Sequence, residues 1–224
     1  MGYYPVFLNL RGRFCVVVGG GKVAERKVRA LLRAGATVRV VSPELTPRLA
    51  VLAARKTITA TRRGYRKGDL CSRRSPLLVF AATDDPATQQ AVRAEAERVG
   101  ALVNLADDSA HSTFLVPACF ARGELQVAIS TSGASPALAR NLRRQLQAML
   151  GREYGAHLRF LREARHRVLK SVSQQKARAR VFRKLAAKLG AVKIQESKGK
   201  SAVARTGSEE PGVRRLKGLR GESA

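Results

Sequence analysis

Short apolar runs alternate with amphipathic segments over the first hundred residues. Apolar residues recur at helical spacing in the segments between the runs, as Val28, Leu31 and Leu32 show. Alternation of buried strands with helices is typical of βαβ units, whose strands are parallel. The pattern predicts an α/β fold, a Rossmann-like parallel-sheet domain over residues 1–112. Its predicted strands are 14–18, 37–41, 56–61, 77–82 and 101–105, and its predicted helices are 23–33, 45–54 and 85–99.

The pattern changes after residue 112. Two β-rich runs, 113–120 and 125–130, are joined by a short polar turn, which predicts a hairpin rather than another βαβ unit. Pro136 then opens an amphipathic helix over 137–150. Leu138, Leu142, Leu146 and Met149 supply its apolar positions at helical spacing. The segment 113–150 is therefore predicted as a small β-hairpin and helix unit.

The remainder of the chain is basic. Residues 151–195 have a helical pattern, which predicts a helical C-terminal region. From 196 to 224 Gly, Ser and charged residues dominate, and apolar residues are scattered. We expect this tail to be disordered, because it buries too little apolar surface to offset its ordering entropy.

The first predicted turn carries a glycine fingerprint. Gly19, Gly21 and Ala24 fit G-x-G-x-x-A between an apolar strand and a helix. Gly19 permits a tight turn, Gly21 allows close approach of a pyrophosphate, and Ala24 lets the helix pack near the strand. A glycine turn with a purely structural role is the alternative. The strand–turn–helix context favours dinucleotide binding.

Composition bounds the class of protein. The net charge is +27, shared about equally between residues 1–150 and the shorter stretch 151–224. A positive charge of this size attracts nucleic acid, anionic lipid or a small molecule with many carboxylates, and composition alone does not choose among them. The three cysteines have no disulfide or metal-ligand spacing, and no His/Cys cluster indicates a metal site. Because no apolar run is long enough to span a membrane and no signal-peptide pattern is seen, we expect a cytoplasmic protein.

Several motifs, taken in order, are more specific than the glycine turn. The chain opens with Pro5-Val-Phe-Leu8, and later carries Ala81-Ala-Thr-Asp-Asp85, Asn104-Leu-Ala-Asp107 and Ser132-Gly-Ala-Ser-Pro-Ala-Leu-Ala-Arg140. Over about residues 3–150 the set resembles the precorrin-2 dehydrogenase family. This family forms the amino-terminal module of siroheme synthase and also occurs as a free-standing protein.

The resemblance implies an NAD-dependent oxidation of precorrin-2 to sirohydrochlorin in siroheme and modified tetrapyrrole biosynthesis. Some members also insert ferrous iron, and the sequence leaves that activity open here. It further implies a homodimer in which the segment 113–150 contributes to dimerisation and to a cleft for the tetrapyrrole. The basic charge suits a substrate with many carboxylates.

The resemblance also implies positions for the cofactor. NAD would lie over the glycine turn. Dinucleotide sites usually have an acidic residue beyond the second strand that binds the ribose hydroxyls, whereas this sequence has the hydroxyl of Ser42 there. That departure leaves NAD against NADP open on physical grounds, and the resemblance points to NAD. The expected cofactor-binding residues are Gly19, Gly20, Gly21, Lys22, Val23, Ser42, Pro43, Thr83 and Asp84.

For the chemistry, the resemblance identifies Asp107 as the catalytic residue, because a carboxylate beside the substrate can act as general base. A loop aspartate that caps a helix or turn is the alternative from the residues alone. Asp108 is adjacent, and an exchange of roles between the two is open. His111 follows four residues after Asp107; a loop histidine is most often solvated, and contact with metal or substrate is the less common case.

A hydroxyl-rich loop before Pro136 is the expected site for substrate carboxylates, since hydroxyls and helix N–H groups bind anions. Ser135 is equally expected as the helix cap before Pro136. The expected substrate-binding residues are Asn104, Ser130, Thr131, Ser132, Gly133, Ser135 and Arg140. A non-catalytic Rossmann-type sensor or scaffold, whose basic tail binds nucleic acid weakly and without sequence preference, is the alternative function.

Overall fold

A computed structural model describes residues 2–71, 74–106 and 108–190. The predicted α/β class is confirmed. Strands and helices alternate through the first part of the chain, and a hairpin and three helices follow. The strands are β1 (Phe14–Val18), β2 (Thr37–Val41), β3 (Thr59–Thr61), β4 (Leu78–Ala81), β5 (Leu102–Leu105), β6 (Ala118–Arg122) and β7 (Leu125–Ile129). The helices are α1 (Lys22–Arg33), α2 (Pro47–Ala54), α3 (Pro86–Arg98), α4 (Pro136–Met149), α5 (Glu153–Ser171) and α6 (Gln175–Gly190).

The first five strands form one parallel sheet in the order β3-β2-β1-β4-β5. The chain leaves β1 toward β2 and β3, and then returns to the other side of β1 as β4. Connections on either side of β1 therefore diverge at the carboxyl ends of β1 and β4. Ligands of doubly wound α/β folds bind at such a switch point.

Both faces of the sheet are buried, which explains why its central strands β1 and β4 are uninterrupted apolar runs. Cys15 and Val17 face α1 and α2, while Val16 and Val18 face the side covered by α3. All four of these side chains are almost completely buried. Burial raises the pKa of the Cys15 thiol, which lies in the core.

A loop, rather than a helix, covers part of the α3 face between β3 and β4. The Glu95 carboxylate is buried in α3 and accepts hydrogen bonds from the backbone N–H groups of Gly68 and Leu70, from Cys71 Sγ and from the Tyr65 hydroxyl. Burial alone would raise the pKa of Glu95, but the bonds from Cys71, Tyr65 and the backbone outweigh it and hold the pKa below its ordinary value. Glu95 therefore fixes the loop to α3.

The second part of the chain is built on the antiparallel pair β6–β7, against which α4 and α5 pack. The predicted hairpin is present, but its first strand starts at Ala118 rather than at residue 113. Thr113 is bonded to β5 instead: its N–H donates to the Val103 carbonyl, and its Oγ1 accepts from the Val103 N–H. These bonds tie the start of the connection to the parallel sheet.

Other differences from the predicted bounds are small. The strand β3 is shorter than the predicted 56–61, because Lys56 adopts a positive φ of 55° in a turn. The helical region divides into α5 and α6, and residues 191–195 of its predicted span and the tail 196–224 lie outside the described residues. In the part of the chain that the structure describes, no helix is long and apolar enough to cross a membrane.

Candidate functional site

Two glycines of the first turn are required by packing against neighbouring loops. Gly19 has a φ of 115°, and a Cβ there would lie 2.1 Å from the Ala82 carbonyl oxygen. A Cβ on Gly20 would lie 1.8 Å from the Glu44 carbonyl oxygen. Both distances are far below contact, so the turn between β1 and α1 is wedged between the loops that follow β2 and β4.

Gly21 differs from these two, because a Cβ there would meet no protein atom within 4 Å. It is the N-cap of α1, which begins without a side-chain cap, whereas α2, α3 and α4 are capped by Thr46, Asp85 and Ser135. The first N–H groups of a helix have no partner inside the helix, and they carry its positive dipole end. Uncapped N–H groups beside an open glycine fit the pyrophosphate of a dinucleotide.

The remaining fingerprint positions agree with this geometry. Ala24 is completely buried, so its small side chain lets α1 pack directly on the sheet. Lys22 and Val23 are exposed in the first turn of α1, and 41% of the Val23 side chain is accessible. The residues present therefore fit a dinucleotide at this helix start.

Ser42 follows β2 and lies against the glycine turn. Its N–H donates to the Thr61 carbonyl at 3.1 Å, and a Cβ on Gly20 would lie 2.7 Å from its Oγ. The buried hydroxyl thus occupies the position at which dinucleotide sites place a ribose-binding acid. Pro43 and Glu44 are exposed directly beyond it.

Thr83 and Asp84 lie beyond the carboxyl end of β4. Thr83 Oγ1 accepts from the Asp85 N–H at 3.3 Å, and its carbonyl accepts from Gln89 Nε2 at 2.7 Å. Asp84 is exposed. Because Gly19 packs against Ala82, this loop borders the glycine turn, as the predicted cofactor site requires.

At the end of β5, Asn104 is buried and fully engaged by the protein. Its Oδ1 accepts from Lys27 Nζ and its Nδ2 donates to the Phe114 carbonyl, both at 3.1 Å. Lys27 also lies over the Phe80 ring, 5.0 Å from its centre. Asn104 thus ties α1 to the segment after β5, and its direct contact with substrate stays a prediction. Asp107, the predicted catalytic residue, lies outside the described residues.

Residues 108–112, which we call the β5 turn, are held by hydrogen bonds that the sequence analysis did not predict. The Ser112 hydroxyl donates to the Asp108 carbonyl at 2.7 Å and accepts from the Leu105 N–H at 2.9 Å. Asp108 Oδ2 lies 2.7 Å from His111 Nδ1, and Oδ1 accepts from the His111 N–H at 3.1 Å. The bonds from His111 hold the pKa of Asp108 below its ordinary value. The Asp-x-x-His spacing was the available signal for this pair.

The predicted hydroxyl-rich loop, residues 130–135, closes on itself and reaches the β5 turn. Ser132 and Gly133 have φ values of 53° and 89°, and the Ser132 N–H donates to Ser130 Oγ. The Ser135 N–H donates to Thr131 Oγ1, and Ser135 Oγ accepts from the Leu138 N–H, which confirms its role as a cap.

A Cβ on Gly133 would lie 3.5 Å from the Ser109 hydroxyl. The loop 130–135 and the turn after β5 are therefore neighbours, although they belong to different parts of the chain. Arg140 is exposed in the following helix. The fold thus brings the β5 turn and the hydroxyl loop together, and it places the glycine turn, Ser42 and Thr83 at the same carboxyl edge of the sheet.

Comparisons with known proteins agree with this arrangement. Residues 6–118, about half of the chain, match the model of a putative NAD(P)-binding family. Residues 122–149 match the central segment of sirohaem biosynthesis proteins. The chain is 44% identical to a siroheme synthase of Chromobacterium violaceum over 160 residues, covering 71% of this chain and 33% of that protein.

A siroheme synthase of Nitrosomonas eutropha is 39% identical over 186 residues, covering 83% of this chain and 38% of that protein. The chain therefore spans between a third and two fifths of the length of these two relatives. The solved structure of SirC, precorrin-2 dehydrogenase, is similar with a TM-score of 0.72 and 29% identity, covering 87% of this chain and 96% of that one. The family resemblance deduced from the motifs is confirmed. With its glycine turn, its parallel sheet and its match over residues 6–118, this chain belongs to the putative NAD(P)-binding family.

Proposed function

We propose that this protein oxidises precorrin-2 to sirohydrochlorin with NAD, in the cytoplasm, as a step of siroheme or related tetrapyrrole biosynthesis. The observation that carries the proposal is the approach of the loop 130–135 to the β5 turn at the carboxyl edge of a dinucleotide-binding sheet. We propose a substrate cleft beside these two loops, with the cofactor site on one side and anion-binding hydroxyls on the other. Similarity to SirC, precorrin-2 dehydrogenase, over nearly all of that chain supports it.

Residues of the sheet edge hold the cofactor in this proposal. The backbone N–H groups of Gly21, Lys22 and Val23 bind the pyrophosphate, because they carry the positive end of α1. The Ser42 hydroxyl binds the adenosine ribose, with Pro43 beside it, and Thr83 and Asp84 line the far side. When bound, the nicotinamide supplies the acceptor for a hydride from the substrate. NAD rather than NADP is the form we propose.

Residues of the two loops hold the substrate. Ser130, Thr131, Ser132 and Gly133 present hydroxyl and N–H groups to carboxylates, and Arg140 offers a guanidinium to one of them. The carboxylate of Asp107 is proposed as the general base that takes a proton from the macrocycle. Asn104 sets the position of this segment through its bonds to Lys27 and Phe114.

The test is an anaerobic assay with enzymatically generated precorrin-2. Sirohydrochlorin is followed by absorbance, with NAD and NADP in parallel reactions. Product that depends on NAD supports the proposal, and equal rates with NADP would remove the cofactor preference. Absence of product with either nicotinamide would overturn the dehydrogenase.

Insertion of ferrous iron is a separate step, and we propose to test it in the same reaction by adding Fe²⁺ once sirohydrochlorin has formed. In the described part of the chain, no group of three or more His, Cys, Asp or Glu side chains could hold a metal ion. In the proposed reaction iron is a substrate that meets the macrocycle in the proposed cleft. Siroheme formation above the rate without protein would establish the activity, and an equal rate would reject it.

A homodimer is proposed for the second part of the chain. Leu138, Leu142 and Met149 lie along α4 and keep 49%, 36% and 38% of their surface exposed. Such a stripe on a helix is typical of a protein–protein interface. Light scattering behind size exclusion at several concentrations gives the mass, and a monomer throughout would overturn the dimer.

One observation favours a second candidate, the binding of nucleic acid. Among the described residues, the cations of α5 and α6 are largely without carboxylate partners; Arg162, paired with Glu124, is the exception. Unpaired arginines and lysines on two packed helices attract phosphates. Binding of duplex DNA that weakens steeply with salt, and that leaves precorrin-2 turnover unchanged, would make it an accessory property. The arginines and lysines concerned include Arg159, Arg167, Lys170, Arg180 and Arg183.

A further inference from the structure

The pair Asp108–His111 has a geometry that an ordinary solvated histidine lacks. The carboxylate of Asp108 accepts two hydrogen bonds from His111, one from the backbone N–H and one at Nδ1. The backbone of Asp108 is fixed in turn by the Ser112 hydroxyl and by its bridge to Leu105. The imidazole is therefore held in one orientation by its own turn.

This orientation leaves Nε2 as the ring nitrogen that does not face Asp108. The His111 side chain is 55% exposed and that of Asp108 is 36% exposed, so the ring is in contact with solvent. A carboxylate at Nδ1 selects the tautomer with the proton on Nδ1, and Nε2 then carries a lone pair that can accept a proton. The arrangement suits transfer of a proton between a site and bulk water.

The pair also lies at the proposed cleft. Ser109, between Asp108 and His111, is the residue that approaches Gly133 of the hydroxyl loop. The turn therefore forms one wall of the space in which we place the tetrapyrrole. Asp108 is the charged group that contacts the imidazole in the described part of the turn, and the neighbouring loop presents Ser132 and Gly133, which are uncharged.

We propose that His111, positioned by Asp108, accepts the proton released in the oxidation and passes it to solvent. This inference rests on the proposed function. The hydride leaves with the electron pair of a C–H bond, and a ring N–H bond of the resulting cation then breaks. Its electron pair stays in the macrocycle as part of the new conjugated double bond. The proton moves to Nε2 of His111, which becomes imidazolium and then releases it to water.

A steady-state experiment tests this transfer of the proton through His111 to solvent, which we call the relay. In His111→Gln we expect kcat to fall by about a hundred-fold, the lower end of the range of general acid–base catalysis, with KM for NAD unchanged. The pH–rate profile of the variant also differs from that of the wild type, and added imidazole restores turnover of His111→Ala. The matched control is His166→Gln on the exposed surface of α5, which leaves both rate and profile as in the wild type.

A spectroscopic measurement needs no turnover. In ¹⁵N-labelled wild-type protein, neutral His111 is expected in the tautomer protonated at Nδ1, and Asp108→Asn loses that preference. The same variant then shows the reduced kcat of His111→Gln, because Asp108 acts through the histidine.

The outcomes separate the two proposals. If the wild type turns over precorrin-2 and His111→Gln matches it in rate and pH profile, the relay is overturned and the dehydrogenase stands. If the wild type produces no sirohydrochlorin, the proposed function fails, and the relay fails with it. A neutral His111 protonated at Nε2 in the wild type would also overturn the relay, whatever the rate.

Discussion

The hydroxyl of Ser42 lies so close to Gly20 that a Cβ on this glycine would stand 2.7 Å from Ser42 Oγ. The relationship joins the end of β2 to the turn after β1, and both are parts of the proposed dinucleotide site. It also separates the glycines of the turn into two kinds. Gly19 and Gly20 are required by the protein itself, whereas Gly21 faces open space, and we propose that the ligand requires it.

Gly21→Asp tests the ligand requirement. The new side chain meets no protein atom, and φ at this position is −78°, so the fold is expected to be retained. Its carboxylate would repel the pyrophosphate at the helix start, and we expect NAD affinity to fall by at least about ten-fold, or 1.4 kcal/mol. Calorimetric titration with NAD measures it.

The control for that change is Gly64→Asp. Gly64 also has no protein atom near its Cβ position, but it lies in the loop after β3. The substitution Gly64→Asp adds the same charge to the protein as Gly21→Asp does, and we expect it to leave NAD affinity unchanged. Equal losses in the two variants would show a general charge effect and contradict the site.

Gly19→Ala tests the structural requirement. The residue would hold a φ of 115°, and its Cβ would stand 2.1 Å from a backbone oxygen of Ala82 that cannot move alone. Backbone strain costs about 1–3 kcal/mol and the displaced loop adds to it, so the free energy of unfolding should drop by about 3 kcal/mol. Urea unfolding measures the change. Gly64→Ala is the control, and an equally small effect in both variants would refute the packing argument.

Glu95→Gln tests the buried carboxylate that holds the loop between β3 and β4. Its amide NH₂ would face donors from Tyr65, Cys71 or the backbone, and we expect a loss of about 2–3 kcal/mol in the free energy of unfolding at neutral pH. Glu97→Gln, at an exposed pair with Arg93, is the control and should change stability by less than about 0.5 kcal/mol.

The same glutamate predicts a pH dependence. The pKa of Glu95 is lower in the folded protein than in the unfolded chain, so its contribution to stability is complete above the unfolded pKa. That contribution is lost as the pH falls through the folded pKa. The stability difference between wild type and Glu95→Gln should therefore shrink in acid, and a difference that is constant with pH would contradict the low pKa.

Leu142→Glu tests the proposed dimer. Leu142 is exposed on α4 in the single chain, so a charge there leaves the fold intact but opposes burial in an interface. We expect the variant to be monomeric at concentrations at which the wild type is dimeric, as measured by sedimentation. Leu169→Glu on α5, at a leucine that is 40% exposed, is the matched control. If Leu169→Glu is monomeric and Leu142→Glu remains dimeric, the dimer interface lies on α5 and not on α4.

Asp107→Ala tests the proposed general base. Turnover of precorrin-2 should fall by about a hundred-fold or more, since general base catalysis contributes on that scale, while NAD binding is retained. A rate equal to that of the wild type would refute the assignment of Asp107 as the base and would leave Asp108 as the candidate for that role.

Local pattern was sufficient for the framework of the first half of the chain. The strands β1 and β4 are apolar because both faces of the sheet are buried, and this burial is visible in the sequence as uninterrupted runs. The glycine fingerprint was readable for the same reason, since a turn at fixed spacing is a local property. The cap at Ser135 followed from the proline after it.

Contacts between distant residues were not readable. Thr113 begins a β-rich run in the sequence, which predicts that it belongs to the first strand of the hairpin. In the structure it is hydrogen-bonded to Val103 of β5 instead, and the first strand of the hairpin begins at Ala118. The local sequence, with Arg98 three residues later, suggests that Glu95 is an exposed helix residue. In the structure the loop from Tyr65 to Cys71 covers it and donates hydrogen bonds to its carboxylate. Each of these outcomes depends on a hydrogen-bond partner far along the chain.

The sequence by itself determined the sheet, the glycine turn and the family, because periodicity, small residues and ordered motifs are properties of neighbouring positions. Only the tertiary structure decided that Gly133 meets Ser109, that Ser42 backs Gly20, and that Asn104 bridges Lys27 and Phe114. It also closed Asp108 on His111 within a pinned turn. The physical reason is that a site is an arrangement of side chains in space, and its distances are set by how separate elements pack.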